Sequence, residues 1–436
     1  MLKNKFYKIV LAGLTAFMFS FSVTIAADTE IEELRQIIDA QKAALDKQTQ
    51  VIEELSNRLD KVEEQSSDAA ETADAAIEAV EEGAGAGDGW YTRTAIGGYG
   101  ELHLEANSTK NEVDAHRYVL FIGHRFNDYL SFQSEFELEH AIAGEGKNGE
   151  IELEQMYIEH NWETIGVSNT SAKYGIFLIP VGIINETHEP PTFYGVERNE
   201  VEKELGANTW WESGIMVDTA FPEENITLTL AAHSGLTTTN GDVRGGRQKS
   251  SEQDASAPAY TARIKWTGIP GLEVAAWGNH HTNIESDSSN TQATPAVAAT
   301  LVGGHIAYSQ SEGLGLRVLA GQWELDCSAA AGTTPKNSCY DNGYSEQWGM
   351  YIEPSYKWQL GGPMDSAVGV FTRIGARDDK AGKSTSGGNK ILQYDIGLNY
   401  WLAPSAVLKI DYEVQTAYDE GASESRGLNF GVGYQF

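Results

Sequence analysis

Charged side chains two residues apart recur along this 436-residue chain: Glu135, Glu137 and Glu139 form one run, Glu101, His103 and Glu105 another, and Lys409, Asp411 and Glu413 a third. A pair of carboxylates is the residue requirement for glycoside hydrolysis. Residues two apart on a strand, however, are simply neighbours on one face, and many positions here share that spacing. His280, His281 and His103 could offer imidazoles to a metal, but no third ligand stands at a fixed distance in the chain, so the His pair reads as a solvated loop feature. No nucleophile motif, phosphate loop or metal signature is present. The sequence therefore predicts no enzyme, no catalytic residue, no metal and no cofactor.

The elements that carry these charges are strands. In one, Leu130, Phe132, Phe136 and Leu138 alternate with Ser131, Gln133, Glu135, Glu137 and Glu139; in another, Leu408, Ile410, Tyr412 and Val414 alternate with Lys409, Asp411, Glu413 and Gln415. The last ten residues repeat the pattern, with Leu428, Phe430, Val432, Tyr434 and Phe436 on one face. Such a strand suits a sheet with lipid on one side. Charges at every second position cannot fill a dry core, so the alternation predicts water on the other side. Sixteen strand candidates run from Thr92 to Phe436, the first over Thr92–Ala106 and the second over His116–Phe126. Short turns such as Asn127-Asp128 and Ala403-Pro404-Ser405 alternate with long polar loops. That rule belongs to a closed antiparallel transmembrane β-barrel. Trp162, Phe221, Trp266, Trp358, Tyr400 and Trp401, near strand ends, suit its interfacial girdles.

Residues 1–26 read as a signal peptide, with Lys3, Lys5 and Lys8 before the apolar run Ile9 to Ile25 and a small-residue cleavage site after it. Over 27–82 apolar residues follow a heptad: Ile31, Ile38, Leu45, Ile52 and Leu59 at one core position, Leu34, Gln41, Gln48, Leu55 and Val62 at the other. A narrow stripe of this kind predicts an α-helical coiled coil and hence an oligomer. Residues 83–89 are a glycine-rich linker and 90–436 the barrel. A net charge of −32 argues against nucleic acid as a partner. Cys327 and Cys339, twelve positions apart in an exported chain, predict a disulfide that contributes about 3 kcal/mol by closing one loop.

One connection is out of scale. Residues 180–211, PVGIINETHEPPTFYGVERNEVEKELGANTWW, carry Glu186, His188, Glu189, Glu197, Arg198, Glu200, Lys203 and Glu204, and a loop so long and aromatic is seldom a free tether. With the strand count, the GGYGELHLE start and the terminal YQF, this segment resembles the phosphate-selective porin O and P type family; the heptad extension is similar to that of certain sugar porins. The resemblance implies an outer-membrane, trimeric sixteen-stranded channel whose third loop folds inward to narrow the pore. It implies outer-membrane lipid as surroundings, ions and small hydrophilic solutes as cargo, and a coiled coil in the periplasm with the cell wall as a candidate partner. An alternative role is an anchor that tethers the membrane to the wall. Phosphate selectivity would need concentrated arginines and lysines. Arg263, Lys265, Arg373 and Lys409 are scattered instead, and carboxylates outnumber them. The lumen is therefore expected to prefer cations weakly, with the inserted loop facing basic residues.

Overall fold

The computed structural model describes residues 89–436 except 109, 163–167, 207, 239, 285–296, 328–338, 340–342, 383–388 and 419–423. The signal peptide and the coiled coil lie outside the described residues. Residues 89–436 form one compact unit.

Sixteen strands close on themselves: β1 (Thr94–Asn107), β2 (Asn111–Arg125), β3 (Leu130–Glu139), β4 (Ile151–Trp162), β5 (Asn169–Leu178), β6 (Trp211–Phe221), β7 (Ile226–His233), β8 (Ala259–Ile269), β9 (Leu272–His281), β10 (Ala299–Tyr308), β11 (Gly313–Leu325), β12 (Glu346–Gly361), β13 (Ser366–Asp378), β14 (Ile391–Ala403), β15 (Ala406–Ala417) and β16 (Ser425–Gln435). Each pairs antiparallel with its neighbours in sequence, and β1 pairs with β16 from Tyr99 opposite Gln435 to Asn107 opposite Gly427. No edge strand remains, so every strand finds its hydrogen-bond partners within the wall. β2 begins five residues earlier than its alternation suggests, at Asn111. The polar residues Asn111, Glu112 and Asp114 hid that start.

The alternation places side chains as the period of two requires. Ile96, Leu104, Leu230, Val302, Ile396 and Phe430 are exposed on the outer face. An apolar surface running round a barrel needs a hydrocarbon solvent. Trp162 and Trp358, at the ends of their strands nearest the short turns, are about two-fifths exposed. Trp401 departs from the girdle reading. It shares the inward phase of Gln393, Asp395 and Asn399, is buried, and donates from its indole to the Pro191 carbonyl at 3.0 Å. Tyr400 took the outward position, and parity along β14 was the signal that separates the two.

Among the described residues the interior is far from empty. The β5–β6 connection, 179–210, folds into the barrel, and the β7–β8 connection, 234–258, packs on it. Arg244 donates to the Asn208 carbonyl at 2.6 Å, and Arg247 donates to Thr209. Cys327 and Cys339 are disulfide-bonded in the β11–β12 connection, and Cys339 joins the apolar cluster beneath.

Candidate functional site

The inserted segment is held at its base by Asn185. Its amide group donates to the carbonyls of Ile179 (2.8 Å) and Trp210 (2.9 Å), while its oxygen accepts from the Trp210 backbone N–H at 2.8 Å. One side chain thus joins the two ends of a segment of about thirty residues. Further in, Asn199 caps a short helix, α1 (Glu200–Glu204), by accepting from Val201 N–H at 2.8 Å and Glu202 N–H at 3.4 Å. Glu202 then links the segment's two limbs. It accepts from the backbone N–H groups of Ile183 (2.8 Å) and Ile184 (2.9 Å) and from the Tyr351 hydroxyl of β12 (2.6 Å). The carboxylate has no exposure to water, and these three donors take the place of water.

Toward the long-loop ends of β8–β12 the segment packs on an apolar wall. Trp210 stacks on His281 with ring centroids 6.0 Å apart and an interplanar angle of 17°, and it contacts Trp323 at 6.1 Å. Leu205 accepts from the Trp323 indole at 3.0 Å, and Phe177, Leu236, Trp277 and Leu319 complete the cluster. His281 is therefore a fully buried strand residue of an apolar core, not a solvated loop histidine; His280 turns outward and bonds the Thr300 hydroxyl at 2.9 Å.

Against β13–β16 and β1–β4 the same segment meets charge. Glu186 pairs with Arg263 of β8, at the border between the two walls. Arg373 binds Glu353 and Asp395 and donates to the Tyr194 carbonyl at 2.9 Å. Gly195, with φ of 87°, turns the chain so that Val196 N–H reaches Asp411 at 2.6 Å. The Lys409 ammonium lies 3.4 Å from the centre of the Phe193 ring, a cation–π contact. Glu197 bonds His103 at 2.8 Å, Arg198 donates to the Tyr99 hydroxyl at 3.2 Å, and His188 lies beside Glu135. Glu204 approaches Arg377 at 3.6 Å, while Glu200 and Lys203 pair with each other at 3.1 Å. Glu189 is half-buried and supplies the carbonyl that closes the turn onto Thr192.

These contacts correct the view that the wall charges stand in open water. Glu101, Glu135, Glu137, Arg373, Lys409 and Asp411 are buried beneath the segment. Ion pairs offset part of that burial: Arg117 lies 2.7 Å from Glu101 and 3.3 Å from Glu137. Glu105 pairs with Lys110 at 2.7 Å, Glu139 lies opposite Arg117 in the β2–β3 register, and Glu413 accepts from Gln393 at 3.0 Å. Tyr99, Arg117, Glu154, Asn185 and Glu353 were not singled out from the sequence, and Glu202 was read only as one more charge of the inserted segment. Arg117 and Glu353 do sit in the inward phase of their strands, so parity could have found them. Asn185 carries no local signal, and nothing local marks Glu202 as the carboxylate that becomes buried.

Open space persists toward the short turns. Glu186, Lys265, Glu273 and Arg317 border a cavity of about 500 Å³ reaching the β8–β9 turn. Lys265 lies 3.6 Å from Glu273, so both signs of charge share that recess. Tyr157, Glu159, Lys173 and Asp218 are half-buried on the neighbouring inner wall.

No family model matches the chain. The barrel is similar to OmpF of Salmonella typhi, solved in complex with daunomycin, with a TM-score of 0.54 at 11% identity, covering 79% of this chain and 97% of that one. It is likewise similar to the anion-selective porin of Comamonas acidovorans, with a TM-score of 0.51 at 10% identity over 79% of this chain and 99% of that one. An uncharacterized protein of Aquifex aeolicus (strain VF5) is 28% identical over 338 residues, which span 73% of this chain and 74% of its own length. At these identities the likeness establishes the fold, a closed sixteen-stranded porin barrel.

Proposed function

We propose that this protein is an outer-membrane porin: a water-filled channel through which ions and small hydrophilic solutes diffuse, narrowed by the inserted segment 179–210. One observation carries the reading. A closed barrel is apolar outside, lined by charge inside, and crossed by a segment that the wall grips from most sides. The resemblance to phosphate-selective porins supports a homotrimer in outer-membrane lipid, with residues 27–82 as a periplasmic coiled coil. The lumen prefers cations weakly, because acidic groups outnumber basic ones while Arg263, Arg373 and Arg377 are each matched to a carboxylate.

Planar-bilayer recording of the purified full chain tests this. Single-channel steps with a modest shift of reversal potential toward the cation side are expected under a salt gradient. Strong anion selectivity would refute the charge argument, and the absence of any conductance would refute the channel.

The filled interior favours a second reading, in which the barrel serves chiefly as an anchor for the coiled coil. Removing residues 28–89 separates the two: conductance survives in a channel, whereas loss of envelope integrity marks a tether.

A further inference from the structure

His188 turns from the inserted segment toward the wall between β3 and β4. Its Nδ1 lies 2.9 Å from the Asn185 backbone carbonyl, which can only accept, so Nδ1 carries the proton and Nε2 faces inward. Two carboxylates meet it there: Glu135 Oε1 at 3.4 Å and Glu154 Oε2 at 3.7 Å. Glu154 is placed by a bulge. Glu135 pairs with Gln155 and Phe136 with Leu153, which leaves Glu154 as an extra residue of β4, and such bulges re-aim side chains beside functional sites.

Charge in this pocket is unbalanced. Glu135, Glu137 and Glu154 are 1%, 0% and 0% exposed, and among the described residues neither oxygen of Glu154 accepts a hydrogen bond from an N–H or hydroxyl donor. Arg117 is already shared between Glu101 and Glu137, and Arg198, the other nearby cation, is turned to the Tyr99 hydroxyl. A buried carboxylate in that state demands either a shared proton or a cation. A proton shared with Glu137 is the alternative to a cation; at His188 the spacing favours the cation. Separations of 3.4 and 3.7 Å exceed the ~2.7–3.2 Å of an N–H···O bond. They lie close to the roughly 3.4 Å between ligand atoms of a tetrahedral site with bonds of about 2.1 Å. The outer contacts also fit: the Asn185 carbonyl fixes the imidazole, and Gln155 donates to Glu135 Oε2 at 2.6 Å, leaving Oε1 for the pocket.

We propose that Glu135, Glu154 and His188 form a binding site for a first-row divalent cation, which fastens the inserted segment to the barrel wall. One nitrogen and two carboxylate oxygens suit Zn²⁺, Mn²⁺ or Fe²⁺ over softer ions. His188 is the ligand supplied by the segment, so occupancy and the segment's position are linked. The site's ligands come from two strands and a loop, which is why no sequence spacing announced it. It does not depend on whether the barrel conducts.

The test uses the untagged full chain in detergent, stripped with chelator and dialysed against Zn²⁺ or Mn²⁺. One ion per chain and a raised unfolding temperature are expected. Glu154→Gln and His188→Ala should lose that ion, and Gln155→Ala should weaken binding about tenfold or more. His116→Ala, in the separate cluster of His103, His116 and His140, should retain it. Unchanged uptake in Glu154→Gln and His188→Ala, or loss in His116→Ala, would overturn the assignment, as would no stoichiometric uptake. X-ray absorption on the Zn²⁺-loaded wild type covers the case in which a variant fails to fold. A shell with one imidazole and carboxylate oxygens supports the site, and a shell with two or more imidazoles overturns it.

Discussion

The two halves of the barrel interior hold the same inserted segment by different physics. Along β8–β12 its Trp210 and Leu205 pack on Trp277, Trp323 and Leu319, a mainly apolar contact whose strength follows the area removed from water, with a few directed bonds such as the Trp323 indole to the Leu205 carbonyl. Along β13–β16 and β1–β4 it is gripped by directed contacts: Arg373 to the Tyr194 carbonyl, Asp411 to Val196 N–H, Glu197 to His103. The dry half supplies adhesion and the charged half supplies register. Directed polar contacts each contribute little net free energy, because water offered the same groups partners before folding.

That contrast is open to measurement. Trp210→Ala should produce the largest loss, about 3–5 kcal/mol, because it empties a fully buried site at the foot of the segment. Thermal unfolding followed by near-ultraviolet dichroism reads it, together with a larger conductance as the segment comes loose. Reducing the Cys327–Cys339 bond should cost about 3 kcal/mol through loop entropy, seen as a lowered denaturant midpoint in dithiothreitol. Glu186→Gln should cost roughly 1–2 kcal/mol, since its carboxylate is partly exposed while Arg263 is left buried. Wider channel steps and a weaker cation preference should accompany it. A loss equal to that of Trp210→Ala would erase the proposed contrast between apolar and polar grips.

Acid should produce the smallest effect. Desolvation works against the charge on Glu186 and Glu197, but Arg263 beside the first and His103 beside the second hold both carboxyls below the ordinary range. A depressed folded value means that the stabilisation is complete above the unfolded value of about 4.3 and fades as pH falls through the folded one. Conductance should therefore be steady from pH 8 to 5 and change below about pH 4. A step near pH 6 would show that another group sets the segment's position.

Strand number, facing and the inserted segment were legible because period-two alternation and turn residues are local signals. Whether an inward residue is wet or dry was not. Glu135 and Trp277 both occupy inward positions, and what covers each is a segment distant in the chain. Trp401 was open to correct placement by counting parity from Asp395. Glu154 was not, because its inward placement depends on a bulge that no alternation records. Asn185 and Glu202 are ordinary polar residues in a polar stretch until the fold closes around them.

Glu202 has a mechanical consequence. Because a single carboxylate clasps Ile183 and Ile184 on one limb while α1 carries it on the other, neither limb can peel away without stripping at least two donors from a waterless acceptor. In the proposed channel the two limbs should then move together, and current traces should jump between discrete levels rather than drift.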